Sequence, residues 1–243
     1  MPHSVPQGVR QRVSDIWEAD LGLTLMLVFL LVMLFVIIPL SGLGLISGNG
    51  DLLVAACFSL LGISGVFSVA RTRGSRIVGL LALSAPIGLG WYHALVPGPH
   101  TSLLRAALGV IALSWLAALT LRHVLRGGTI TMARLQGAVA VYLLLAMIFG
   151  EIYWGIALYN PGAFHFPEDI STSVAARSGV FYFSLTTLTT VGYGDIVPIG
   201  PFARSLATME GLLGQLYPAV LIGRLVSLQI TNAQQDATRA EPR

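Results

Sequence analysis

Six apolar runs divide the 243-residue chain, each close to the roughly 20 residues that a helix needs to cross a hydrocarbon core about 30 Å thick. They extend approximately from Leu21 to Leu40, Leu52 to Ala70, Ile77 to Val96, Leu103 to Leu121, Leu135 to Leu158 and Phe202 to Leu228. Charged residues make up 10% of the chain, against about 25% in a soluble domain, which excludes an ordinary cytosolic enzyme. The formal net charge is +3, but every positive residue is an arginine and none belongs to a basic tract, so a nucleic-acid partner is not expected. Cys57 stands alone in an apolar run, leaving no intrachain disulfide and no thiolate metal cluster. The first run is too long for a removed signal peptide and lacks a small-residue cleavage pattern; it reads as a retained span.

Arginine placement sets the expected orientation, because positively charged loops stay on the cytoplasmic side. The connection from Ser41 to Asp51 has none, the next holds Arg71, Arg73 and Arg76, Val96 to Ser102 has none, and the fourth holds Arg122, Arg126 and Arg134. Both termini are therefore expected to be cytoplasmic, in a multi-pass protein of the cell (inner) membrane. The domain plan is a cytoplasmic amphipathic N-terminus over 1–20, a four-helix membrane domain over 21–121 and a cytoplasmic linker over 122–134. A second membrane domain over 135–228 and a short cytoplasmic tail over 229–243 complete it. Val9, Val13, Ile16 and Trp17 space like one face of an interfacial helix. No polar segment is long enough for an independent core, and no internal repeat marks a transporter.

The chemistry concentrates between the fifth and sixth runs, where the chain reads SGVFYFSLTTLTTVGYGDIVPIGPF. A stretch from Ser178 to Thr189 suits a helix that goes halfway into the membrane. The residues after it must return as extended backbone, whose unpaired carbonyls cost several kcal/mol unless protein, water or an ion satisfies them. Gly192 and Gly194, two apart, enter the left-handed region without a Cβ clash. Alternating them with ordinary residues lets successive carbonyls point one way. One column of oxygens cannot surround a bare cation; four chains around an axis can.

The segment TTVGYGD, Thr189 to Asp195, resembles the selectivity-filter signature of tetrameric potassium channels. The likeness is strong from Gly179 to Ser227, weaker over the fifth run and only topological over Met1 to Gly128. It implies an all-α integral membrane fold: six transmembrane helices plus a re-entrant pore helix (178–189) and filter (190–195), with an inner helix over 202–228, assembled as a homotetramer around a central pore. It also implies K+ ions at the backbone carbonyls of Thr190, Val191, Gly192 and Tyr193 and at the Thr190 hydroxyl, with Gly194 shaping the outer mouth. Asp195 resembles the carboxylate behind the filter, and Tyr182 and Phe183 take the positions of an aromatic cuff. Thr186 stands where some bacterial members place a glutamate, so inactivation resting on a carboxyl pair is not implied; back-bonding to the pore helix is the expected role of its hydroxyl. Gly214 matches a hinge glycine.

On the sixth run, Pro218 predicts a bend near Gly214. Gln215, Pro218 or Ala219, Ile222 and Val226 recur at helical spacing, which predicts a cavity lining with Ile222 and Val226 as an apolar gate. Two acids lie within spans, and each should face protein or water. Glu151 is expected to reach the pore helix, and Glu210 the back of the filter or a neighbouring subunit, both as structural anchors. His165, Glu168 and Asp169 read as a solvated outer loop. The fourth run carries Arg105 and is followed by Arg122, without the repeated basic residues that a steep voltage response requires.

The expected function is therefore a homotetrameric potassium-selective channel, passive and not steeply voltage-gated. It has no enzyme activity and no cofactor beyond K+ bound in the filter. Its expected partners are three further copies of itself and the lipid bilayer, with a lipid or unknown protein regulator as a further candidate. A weakly selective monovalent cation channel and a non-conducting membrane sensor or auxiliary subunit are the alternatives.

Overall fold

The computed structural model describes residues 21–45, 50–69, 73–96, 98–125, 131–167, 170 and 173–240. The amphipathic N-terminus, the Gly127–Gly128 linker and the loop residues Glu168 and Asp169 lie outside the described residues. Seven helices are seen: α1 (Leu21–Gly42), α2 (Gly50–Val69), α3 (Arg73–Leu95), α4 (Pro99–Leu125), α5 (Met132–Tyr159), α6 (Ser173–Leu188) and α7 (Pro201–Ala240).

Two apolar stripes explain why α1 belongs in a bilayer. Leu23, Met26, Leu30, Met33 and Ile37 recur every three or four residues and are buried. The opposite face, with Leu21, Leu25, Val28, Leu31 and Phe35, is exposed yet just as apolar. A helix that is apolar all round has lipid, not water, against its outer face. Over Met33–Ile37 the bonding widens to the π pattern, the Ile38 amide reaching back to the Met33 carbonyl just before Pro39, which has no amide to offer.

Helices α1 to α5 are each long and apolar enough to span a membrane. Helix α7 carries Arg204, Glu210, Gln215 and Arg224, and its 40 residues run on past the expected sixth span into a polar stretch ending at Ala240. Helix α5 is the hub, its span the most deeply buried of the five. It packs along α4 on one side and against α6 and α7 on the other. Gly137 permits the α4 contact, since a Cβ there would lie 3.0 Å from Val124 Cγ2. Thr131 caps α5, its hydroxyl accepting the Arg134 amide at 3.4 Å.

After α5, a turn at Pro161–Ala163 leads into β1 (Phe164–His165), which pairs antiparallel with β2 (Val197–Pro198). Phe164 faces Pro198 and His165 faces Val197. The Ile199 and Gly200 amides also donate to the Ala163 carbonyl, at 2.8 and 3.2 Å. This clamp ties the chain leaving the TVGYGD segment to the chain leaving α5. Helix α6 runs from Ser173 to Leu188, where a half-length helix over 178–189 was expected. At 16 residues it reaches about 24 Å, too short to cross.

Candidate functional site

Helix α6 delivers the Thr190–Asp195 segment, and its last turn holds that segment by backbone bonds. The Thr186 carbonyl accepts from the Val191 amide at 2.9 Å and from the Gly192 amide at 3.2 Å, while the Thr187 carbonyl accepts from Thr190 at 3.0 Å. These use carbonyls that a helix end leaves without an intrahelical partner. The Thr186 hydroxyl donates back to Phe183 O at 3.1 Å, the role expected of it.

Within the segment, φ is positive at every second residue: +59° at Thr190, +54° at Gly192 and +82° at Gly194. The glycines adopt this at no steric cost, whereas Thr190, the one described non-glycine residue with positive φ, is strained by roughly 1–2 kcal/mol. Sequence reasoning reached the glycine alternation and missed that it extends one step further, to a threonine. Val191, Tyr193 and Asp195 are exposed on the isolated chain.

The support around the segment is specific. Tyr182 and Tyr193 stack with ring centroids 6.3 Å apart and planes 2° from parallel, and the Tyr182 hydroxyl lies near the Asp195 carboxylate. Phe183 departs from the cuff expected of it. It turns into the subunit's own core, edge-on to Tyr153 at 5.2 Å and to Phe164 at 5.7 Å. Neighbouring residues on a helix point about 100° apart, so only one of the pair faces the filter side.

Behind α6 lies a buried polar triangle. Glu210 accepts from the Tyr153 hydroxyl at 2.6 Å, and its other oxygen is 2.5 Å from the Ser184 hydroxyl, which also approaches the Ala146 carbonyl at 2.8 Å. Glu210 thus faces α5 and α6 within the subunit, through Tyr153 and Ser184. Ser184 and Tyr153 were missed; a lone serine two residues before the Thr pair, in an otherwise apolar turn, was the available signal. Tyr142 donates to the Leu188 carbonyl at 3.0 Å, and Arg204 Nε to the Pro198 carbonyl at 2.9 Å, so both ends of the segment are held.

Helix α7 runs through Gly214 and Pro218 without a break in its helical assignment. A Cβ at Gly214 would overlap the Leu188 carbonyl, so this glycine is required by close packing of α7 on the end of α6. Gln215, Ala219, Ile222 and Val226 are exposed and Pro218 is half-buried, so the stripe is not consumed by packing within the subunit.

The model of the ion-channel family matches residues 138–229, from α5 through the filter segment into α7. Among similar proteins, the inward rectifier potassium channel Kirbac3.1 of Paramagnetospirillum magnetotacticum is 52% identical over 40 residues, 16% of this chain and 14% of that protein. The potassium voltage-gated channel protein shk-1 of Caenorhabditis elegans is 39% identical over 61 residues, 25% of this chain and 11% of that one. Protein LctB of Bacillus caldotenax is 33% identical over 127 residues, half of this chain and 93% of LctB. The chain thus spans only a small part of the two potassium-channel relatives but nearly all of LctB. No solved structure matches. A membrane protein by its helices, matched by the ion-channel model over 138–229 and similar to LctB over 93% of that protein's length, the chain belongs to the ion-channel family.

Proposed function

We propose that the protein is a homotetrameric channel that conducts K+ passively, with six spans per chain, both termini cytoplasmic and α6 as the re-entrant pore helix. The observation that carries this reading is the left-handed backbone at every second residue from Thr190 to Gly194, set at the end of a half-length helix. Such alternation brings successive carbonyls to one side. The carbonyls of Thr190, Val191, Gly192 and Tyr193, with the Thr190 hydroxyl, then replace the hydration shell of K+ when four copies meet. On a cavity-facing α7, Gln215 and the Gly211–Gly214 stretch would meet water and the neighbouring helices, not lipid. Ile222 and Val226 would narrow the inner end as an apolar gate that closes by dewetting.

The relatives named as potassium channels support the choice of ion. Of the two arginines on α4, Arg122 lies in its last turn and Arg105 is paired with Glu151 at 3.6 Å, which supports a small gating charge and a shallow voltage response. The test is the reversal potential of the purified protein in a planar bilayer under opposed K+ and Na+ gradients. Reversal at the K+ equilibrium potential, with block by barium, is the expected result. Reversal near zero would give a weakly selective cation channel, and no current with an intact tetramer would give a non-conducting sensor or auxiliary subunit; either overturns the proposal.

A further inference from the structure

Four helices each place one charged side chain at a single spot between the front four-helix unit and the pore unit. Asp51 opens α2, Arg105 stands on α4, Glu151 on α5 and Arg177 near the start of α6. The Glu151 carboxylate is 2% exposed, and its Oε1 lies 3.6 Å from both Arg105 and Arg177. A second nitrogen of Arg177 lies 3.4 Å from Asp51 Oδ1. The order Arg105, Glu151, Arg177, Asp51 alternates in sign and sums to zero, the arrangement that makes buried charge tolerable.

Arg177 is the fifth residue of α6, near a helix start, where the backbone dipole disfavours a cation. Among the described residues of α6 its guanidinium meets only the Phe181 ring, at 5.9 Å. Its carboxylate partners on two other helices, Asp51 on α2 and Glu151 on α5, supply the reason for a cation there. Arg105 Nε, Arg177 Nε and Glu151 Oε2 are buried without a hydrogen-bond partner and border a cavity, also lined by His93, with room for a water. The same helix that Arg177 anchors at one end holds Thr190, Val191 and Gly192 at the other through the Thr186 and Thr187 carbonyls. We propose that this ion chain is how the front helices fix the pore helix, and that Glu151 and Arg177 are positioning residues that keep the filter in its conducting form. The inference rests on the channel reading above. It assigns to α1–α4 a role other than voltage sensing.

The experiment uses the full chain reconstituted as the tetramer, recorded at the single-channel level. Asp51→Asn and Arg105→Gln alter only the front unit, and Glu151→Gln and Arg177→Gln alter the pore side. Reversal potential and tetramer yield are expected to hold in Asp51→Asn, while open bursts shorten about twofold there and about tenfold or more in Glu151→Gln. Raised external K+ should lengthen the bursts again, because an ion bound only by the conducting filter stabilises it by mass action; a defect of folding alone would not respond. Arg177→Lys should recover most of the loss seen in Arg177→Gln, and Asp51→Asn should add nothing in the Arg177→Gln background. Unchanged bursts in the two front-unit variants, or additive effects in the double variant, would overturn the proposal. Hydrogen exchange of residues 173–178 separates the two readings: should the wild-type tetramer fail to conduct, faster exchange in Asp51→Asn still supports the ion chain and unchanged exchange defeats it.

Discussion

Five hydroxyls of the front unit bond back to their own helix; in the pore unit Thr186, Thr189 and Thr208 do the same, but five other side chains reach across to another element or turn. Ser59, Ser64, Ser68, Ser84 and Thr120 each donate to a carbonyl three or four residues back. By contrast Tyr142, Tyr153, Ser184, Tyr217 and Arg204 all reach another element or another turn of the chain. A back-bond satisfies a hydroxyl in lipid without specifying where the neighbouring helix sits. A bond between helices does specify it. The front helices are held mainly by shape, and the pore helices by shape plus directed hydrogen bonds, as a site with ångström tolerances requires.

The sharpest way to break the contrast is at the glycines of the pore unit. In Gly214→Ala the new methyl would overlap the Leu188 carbonyl, and in Gly192→Ala a residue with a side chain must hold φ near +54°. The second costs about 1–2 kcal/mol per chain, four times over in a tetramer. Both variants are expected to lose K+-selective rubidium flux in proteoliposomes. Gly88→Ala in α3, where a Cβ would meet nothing within 4 Å, is expected to keep it. Retained flux in Gly214→Ala would mean that α7 and α6 do not lie this close in the conducting assembly.

Next in size is the triangle behind α6. Glu210→Ala leaves the buried hydroxyls of Tyr153 and Ser184 without their shared partner, at about 1–3 kcal/mol each. Glu210→Gln keeps an acceptor for Tyr153 and offers a donor to Ser184, whose own proton is then free for the Ala146 carbonyl at 2.8 Å. A large fall in the thermal midpoint of the tetramer is expected for the alanine variant and little change for the glutamine variant. Equal falls would show that Glu210 acts through its charge rather than through these bonds.

Much of this was legible in the chain before any coordinates, and the parts that were not share a cause. The first five spans, the half-length helix and the glycine alternation follow from length, apolarity and the absence of a Cβ, which are local properties. Phe183 and Tyr182 look equivalent as neighbours in sequence, and only the helical rotation between them sends one to Tyr193 and the other to Tyr153. The partners of Glu151 could not be read because Asp51, Arg105 and Arg177 are scattered over 126 positions and meet only once four helices pack. Gly214 reads as a hinge from its place before Pro218; its contact with Leu188 is a tertiary fact.

A smaller effect is expected from Tyr182→Phe. The stacked ring on Tyr193 remains, and only the hydroxyl near the Asp195 carboxylate is lost. A polar contact with an exposed carboxylate such as Asp195 is worth at most about 1.5 kcal/mol. Open bursts should shorten by roughly tenfold at most on that energy, with the K+ to Na+ permeability ratio held. A fall in selectivity instead would mean that the ring is positioned by its hydroxyl and not by the stack.

The mildest variants probe the other side of the comparison. Ser64→Ala and Thr120→Val each remove a hydroxyl whose only recorded bond is to its own helix, at 3.0 and 2.9 Å. Neither hydroxyl holds two helices in register. The carbonyls they leave, Leu61 and Leu116, sit inside continuous helices, where a backbone amide four residues on also serves each. The expected change in tetramer stability is therefore within about 0.5 kcal/mol for Ser64→Ala, and no larger for Thr120→Val, where the β-branched shape is kept and only the hydroxyl is exchanged for a methyl. Losses of the size expected for Glu210→Ala would show that the front helices, too, are held by directed bonds, and the division drawn between the two halves of the molecule would not stand.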